Sequence, residues 1–321
     1  MTTSAIPVVD FGACGLQREL ERVTQAELDH VSAQLYEAFT RVGFVFLQNT
    51  GITQQEVDDV MSVSREFFSL SDEQKSLYSR GRYEDNSNHG WVSLQTERLN
   101  PRRPGDLKES FNTSLLRPDI LWPAGGALSD FFRLQNQFFR RCSSLSLRIL
   151  RLLALSLNLE PETFVKEHRL LGQPGNSSTL RSLFYPPTDP SQAKPDQLRC
   201  GEHSDYGSIT LLFQKSPGIQ VRSVAGHFLS PPLVPGAVLV NIADMMQRWT
   251  SDTFISAVHR VLLPPPGDAS ERQSLAFFVQ PDDCAVIGCC DGSDKYPPIR
   301  ADRYLQERFA ESYGRSDADR K

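Results

Sequence analysis

What the chain lacks narrows it first. No apolar run approaches the roughly 20 residues that span a bilayer. The opening Met1-Thr2-Thr3-Ser4 shows no charged-then-apolar leader, so a cytoplasmic protein without membrane contact is expected. There is no basic block: 34 Lys and Arg are interspersed with 39 Asp and Glu, for a net charge of −5, which speaks against a nucleic-acid partner. The six cysteines include no Cys-x-x-Cys spacing, and their surroundings range from the apolar stretch around Cys142 to the Cys289-Cys290 pair. Reduced, structural thiols are the expectation. No internal repeat, heptad or low-complexity tract appears, and composition marks no linker. A single domain over 1–321 is therefore expected, acting as a monomer.

The regular patterns begin with a short strand at Val8-Val9. Thr24-Gln25-Ala26-Glu27, Thr53-Gln54-Gln55-Glu56 and Ser71-Asp72-Glu73-Gln74 are capping boxes, so residues 1–125 should be mostly helical. Gly43 and the apolar Phe44-Val45-Phe46-Leu47 predict a turn into a buried strand. Ser79 to Pro104 has no steady period, and Trp91 and Val92 suggest that this loop folds onto the core beside the site. Phe111 to Leu115 reads as a strand. The longest helical pattern runs from Ser129 to Leu157, with Phe131, Leu134, Phe138, Cys142, Leu145, Ile149, Leu152 and Leu153 at helical spacing. Within 126–285 the texture then turns to short β runs: 179–185, 208–213, 219–222, 238–241, 256–263 and 273–279. Such spacing suggests a sandwich or barrel. Residues 286–321 should hold a last helix with Tyr304, Leu305, Phe309 and Tyr313, then a flexible tail from Ser316.

One stretch carries chemistry: His203-Ser204-Asp205 followed by the β-branched run Ser208 to Phe213. If it enters a strand, His203 and Asp205 at i and i+2 share a face. His259, in Ala257-Val258-His259-Arg260-Val261, is a candidate third ligand. Two histidines and one carboxylate with open positions suit non-haem Fe(II) and oxygen chemistry. Arg272-Gln273-Ser274 lies beyond His259, and Leu183-Phe184-Tyr185-Pro186-Pro187 precedes His203. With Ile6 to Phe11, Arg41 to Phe44 and Asp106 to Phe111, this ordered set resembles the isopenicillin N synthase-like branch of the Fe(II)/2-oxoglutarate-dependent dioxygenases. The resemblance covers essentially the whole chain.

It implies an α+β fold: a double-stranded β-helix, or jelly-roll, core with an N-terminal helical layer and a long backbone helix. It implies Fe(II) on His203, Asp205 and His259, with 2-oxoglutarate and O2 as co-substrates and succinate and CO2 as co-products. Hydroxylation of a small organic molecule is the default outcome, with desaturation or ring closure also open. Arg272 would clamp the far carboxylate of 2-oxoglutarate, because a guanidinium offers a fixed fork. Ser274, on the same side of a strand, and Tyr185 would assist. Where that family often carries Asn two residues before this tyrosine, Leu183 stands here. Trp91, Phe111, Arg181, Trp249 and Phe277 are candidates for the substrate pocket, and Arg181 beside aromatic rings favours an anionic or planar substrate group. His30, His168 and His227 read as ordinary residues, and His89 sits on a loop that reaches toward the site. The alternatives are a 2-oxoglutarate-independent oxidase of the isopenicillin N synthase type and a non-catalytic jelly-roll binding protein.

Overall fold

Sequence punctuation sets the first elements. A computed structural model describes residues 6–84 and 88–313, beginning with β1 (Val8–Asp10), α1 (Gln25–Arg41), β2 (Phe44–Gln48), α2 (Gln54–Phe68) and α3 (Asp72–Ser76). All three helices start on complete capping boxes. Thr24, Thr53 and Ser71 accept from the N–H three residues on, while Glu27, Glu56 and Gln74 reach back. Such a cap is worth about 1 kcal/mol. At the α1–β2 turn Gly43 has φ of 77°, and a Cβ there would lie 2.2 Å from the Ile255 carbonyl oxygen. Only glycine fits that approach.

β3 (Gly90–Val92) and β4 (Glu109–Thr113) lead to α4 (Phe131–Ser156), whose 26 residues extend for about 39 Å. Phe138, Cys142, Leu145, Ile149 and Leu153 form its buried stripe. The short α5 (Glu162–Val165) follows. The remaining elements are β5 (Thr179–Tyr185), β6 (Cys200–His203), β7 (Ile209–Gln214), β8 (Ile219–Arg222), β9 (Phe228–Leu229), β10 (Val238–Ile242), α6 (Asp244–Trp249), β11 (His259–Val261), β12 (Arg272–Val279), β13 (Val286–Ile287), β14 (Ile299–Arg300) and α7 (Ala301–Tyr313). The expected tail from Ser316 lies outside the described residues, as does the side chain of Tyr313.

Eight strands form one sheet in the order β1-β2-β10-β7-β12-β5-β4-β3, and four form a second in the order β6-β11-β8-β9. These two sheets are the jelly roll. The expected strand at 256–263 shrinks to three residues, with an irregular register between His259 and Val261 against β6. β9 appears where the sequence showed no strand signal, and β6 ends at His203 instead of running on through Asp205 into β7.

Alternation across the large sheet decides what reaches the site. On β12, Leu275, Phe277 and Val279 join the core shared with α4, whereas Arg272, Ser274, Ala276 and Phe278 face the cavity between the sheets. On β5, Leu180 faces that same helical side, and Arg181, Leu183 and Tyr185 face the cavity. On β7, Ile209 and Leu211 join the core, while Thr210 and Leu212 face the cavity. The helical side is mainly apolar, apart from a buried hydrogen-bonded cluster of Ser64, Gln135 and Ser182, and the candidate ligands lie on the other.

Candidate active site

His203 ends β6 and His259 begins β11, and the two residues are directly paired across the small sheet. Asp205 does not share a strand with His203. It follows the strand end, in the corner where the chain leaves the small sheet for β7 in the large one. The expected i, i+2 strand geometry is thus replaced by a corner, which turns the carboxylate back between the imidazoles. His203 Nε2 lies 3.6 Å and His259 Nε2 3.7 Å from Asp205 Oδ1, and one ligand atom from each residue falls within 4.8 Å of the others. These three could hold a metal ion.

Both rings are aimed by their own backbone. His203 Nδ1 lies 2.9 Å from the Gly201 carbonyl and His259 Nδ1 lies 3.2 Å from that of Ala257. Those contacts place the proton on Nδ1 and leave Nε2 as the lone-pair donor. Burial, with His203 nearby, pushes His259 down to about 4, so it is neutral at pH 7. Burial opposes ionisation of Asp205. The neighbouring His259 and His203, with the Asn241 amide donating to Oδ2 at 2.8 Å, nevertheless hold its carboxyl below the ordinary range. One carboxylate and two imidazoles are a donor set that fits Fe(II).

Across the cavity Arg272 is 2% exposed. Its guanidinium donates to the Pro217 carbonyl (3.0 Å), Gln214 Oε1 (2.8 Å) and Ser274 Oγ (3.1 Å), and lies 5.0 Å from the Tyr185 ring centroid. Every one of these partners is neutral. A buried cation held in place with no anion beside it among the described residues fits a site for a carboxylate. Leu183 and Ala276 line the wall between it and the metal corner.

Arg181 also faces this space, but its charge is already met. Its Nη1 lies 3.0 Å from Glu97 Oε1, and its Nε donates to Asn112 Oδ1 at 2.8 Å. Glu97 in turn pairs with Lys108 at 2.9 Å, and Lys108 with Asp106. Burial works against the Lys108 ammonium, yet Cys200, Glu97 and Asp106 hold its pKa well above the ordinary value. The network is buried and charge-balanced, so Arg181 is not an open anchor for an anion.

The other four pocket candidates lie on the helical side of the sheet or in the core. Phe277 packs edge-on against Phe139 of α4, with centroids 4.8 Å apart. Trp249 packs on Phe164 at 4.8 Å. Phe111 contacts Phe67 and Phe131, and Trp91 donates its indole N–H to Glu109. Strand parity and tertiary packing turn all four away from the cavity. His89 is buried against Trp122, and His168 is buried between the Phe164 carbonyl and Ser208. The pocket wall beside the metal corner comes instead from Leu99, Thr179, Tyr206, Phe278, Gln280 and Phe309. Of these, only Phe278 carried a usable signal, sharing parity with Arg272 and Ser274.

Comparison with known proteins accords with this arrangement. Residues 6–125 match the family described as non-haem dioxygenase in morphine synthesis, N-terminal, and residues 176–281 match the 2OG-Fe(II) oxygenase superfamily. The chain is 34% identical over 302 residues to the proline hydroxylase buaE of Petromyces alliaceus, covering 87% of this chain and 92% of that one. It is 29% identical to the 2-oxoglutarate-dependent dioxygenase htyE of Aspergillus rugulosus, covering 97% and 100%. Among solved structures, a full-length Neurospora crassa protein in complex with alpha-KG superposes with a TM-score of 0.83 at 29% identity, covering 95% of this chain and 96% of that one.

Proposed function

Since this chain belongs to the Fe(II)/2-oxoglutarate-dependent oxygenases, we propose that it hydroxylates a small, net-neutral polar molecule at a site built from His203, Asp205 and His259. The 2-oxoglutarate-independent oxidase and the non-catalytic scaffold are not favoured, because several relatives are named as 2-oxoglutarate enzymes. Bound Fe(II) and 2-oxoglutarate supply the oxidising chemistry, with succinate and CO2 as co-products. The chain's own residues do the rest. His203, Asp205 and His259 would hold the metal at the edge of the cavity that all three line. Arg272 and Ser274 receive the distal carboxylate of the co-substrate, with Tyr185 behind the guanidinium. The apolar wall of Leu183, Leu212 and Ala276 keeps water from the space between.

For the substrate, the paired Arg181 and Glu97 support a molecule without net charge that offers both donors and acceptors. Asn88, Thr179 and Gln280 add neutral polar edges, and Phe278 and Phe309 add flat apolar ones. The relatives point the same way: one is named for proline, and the Neurospora crassa protein has also been solved with thymine, both small nitrogen rings without net charge.

The observation that carries this reading is the convergence of the three ligand atoms opposite a buried, anion-less Arg272. Anaerobic titration of the Fe(II)-loaded protein with 2-oxoglutarate should raise a visible metal-to-ligand charge-transfer band. Iron binding without a band would move the 2-oxoglutarate-independent oxidase to first place. Absence of iron binding would refute the metal site.

A further inference from the structure

The C-terminal helix α7 reaches the metal corner through one carboxylate. Asp244, at the start of α6, accepts from Ser204 Oγ (3.0 Å) and Ser256 Oγ (2.6 Å), and pairs with Arg308 Nη2 at 3.0 Å. Its backbone N–H donates to the Asp205 carbonyl at 2.8 Å. Ser204 sits between the first two proposed ligands. Ser256 opens the short segment that leads to His259. Arg308 belongs to α7, and its guanidinium also lies 4.8 Å from the ring centroid of Tyr206, the residue after Asp205. The next residue of α7, Phe309, lines the cavity beside His203 and packs edge-on against Tyr206 at 6.2 Å. One side chain thus touches both ligand-bearing segments and the helix that walls the pocket.

We propose that Asp244 is a positioning residue that latches α7 to the metal corner, so that closure of the pocket wall and alignment of the ligands are a single event. The physical case is the convergence of four bonds on a residue that is hydrogen-bonded to none of the three ligand side chains. Ser204 and Ser256 fix the two chain corners relative to each other, and the charge on Arg308 fixes α7 to both. Oxidising chemistry needs a site shut against water and aligned at the same moment, and a shared anchor supplies that coupling. The inference rests on the metal reading above only for what the corner holds; the latch itself is a property of the chain.

The test uses the full-length protein with Co(II) as a spectroscopic probe, comparing wild type with Asp244→Asn, Arg308→Met and Arg308→Lys. Both loss-of-charge variants should speed amide hydrogen exchange across α7 by about tenfold. Arg308→Met, though remote from the ligands, should also shift the Co(II) d–d bands and weaken Co(II) by about tenfold, the effect typical of groups that support ligands. Arg308→Lys, which keeps the charge, should restore both. A loosened α7 with unchanged Co(II) bands and affinity would overturn the coupling. Unchanged exchange in Asp244→Asn and Arg308→Met would overturn the latch. If wild type takes up no Co(II), the metal reading fails on its own, and the exchange experiment still decides the latch.

Discussion

Two buried arginines face the same cavity and have opposite company. Arg181 lies against Glu97, within a chain of charges that continues through Lys108 to Asp106. Arg272 is surrounded by a carbonyl, an amide and a hydroxyl. The fold has neutralised one cation internally and left the other oriented but uncompensated. An ion pair that is complete within the protein sets the shape and polarity of a wall. An oriented cation without its counter-ion specifies a ligand of opposite charge. On the function proposed above, the difference would separate a substrate side from a co-substrate side within one cavity.

The contrast can be broken most directly at the uncompensated end. Arg272→Ala should weaken 2-oxoglutarate by about 100-fold or more, since a buried charge-assisted partner is lost. Arg272→Lys should recover only part of it, because an ammonium cannot reproduce the fork. Titration of the charge-transfer band measures both. At the paired end, Glu97→Gln takes the carboxylate from Arg181 and Lys108 together and should cost about 3 kcal/mol of folding stability in denaturant melts. 2-Oxoglutarate affinity should move far less than in Arg272→Ala. If the two variants gave the same pattern, the division of the cavity would be wrong.

A carboxylate next to the metal corner sharpens the comparison through pH. Glu202, beside His203 on β6, is pushed up by burial but is bound by Arg103 and Arg260, and it ends at about 2 against an ordinary 4.5. A depressed carboxylate stabilises the fold above its unfolded pKa and loses that contribution as pH falls through the folded one. Glu202→Gln should therefore cost on the order of 2 kcal/mol at pH 7, and the gap to wild type should close between about pH 4.5 and 2. Urea midpoints at pH 7 and pH 3 would measure it. The smallest effect is expected for Gln214→Leu, which removes one neutral acceptor from Arg272. It should lower 2-oxoglutarate affinity only a few-fold, in line with about 1 kcal/mol for one hydrogen bond.

How much of this was legible depends on how each residue is held. The capping boxes were readable because a cap is a contract between residues three apart. The long helix was readable because its stripe repeats for seven turns. Arg272 and Ser274 were placed on one face by period-2 alternation, and they share it. The same rule applied to Phe277 and Phe278 would have chosen Phe278, since only it shares parity with Arg272. The joining of His203 to Asp205 was expected from a strand and is achieved by a corner between sheets. The sequence pattern is the same either way. Glu97, Asn241 and Phe309 come from a loop, a distant strand and the last helix. No local period announces them, because the contact that gives each its place is made only when the sheets close.

The backbone contacts of the two histidines have a consequence for how such a site ages. His203 and His259 each orient their ring on the carbonyl two residues earlier. A carbonyl has no codon. Substitution at position 201 or 257 can crowd the neighbourhood, but it cannot delete the acceptor as it could delete an aspartate or a serine. Wall residues such as Leu99, Phe278 and Phe309 can be exchanged while the imidazoles keep their aim. The metal corner is written in the main chain and the pocket in the side chains, so heritable change falls on what the site accepts before it falls on what the site does.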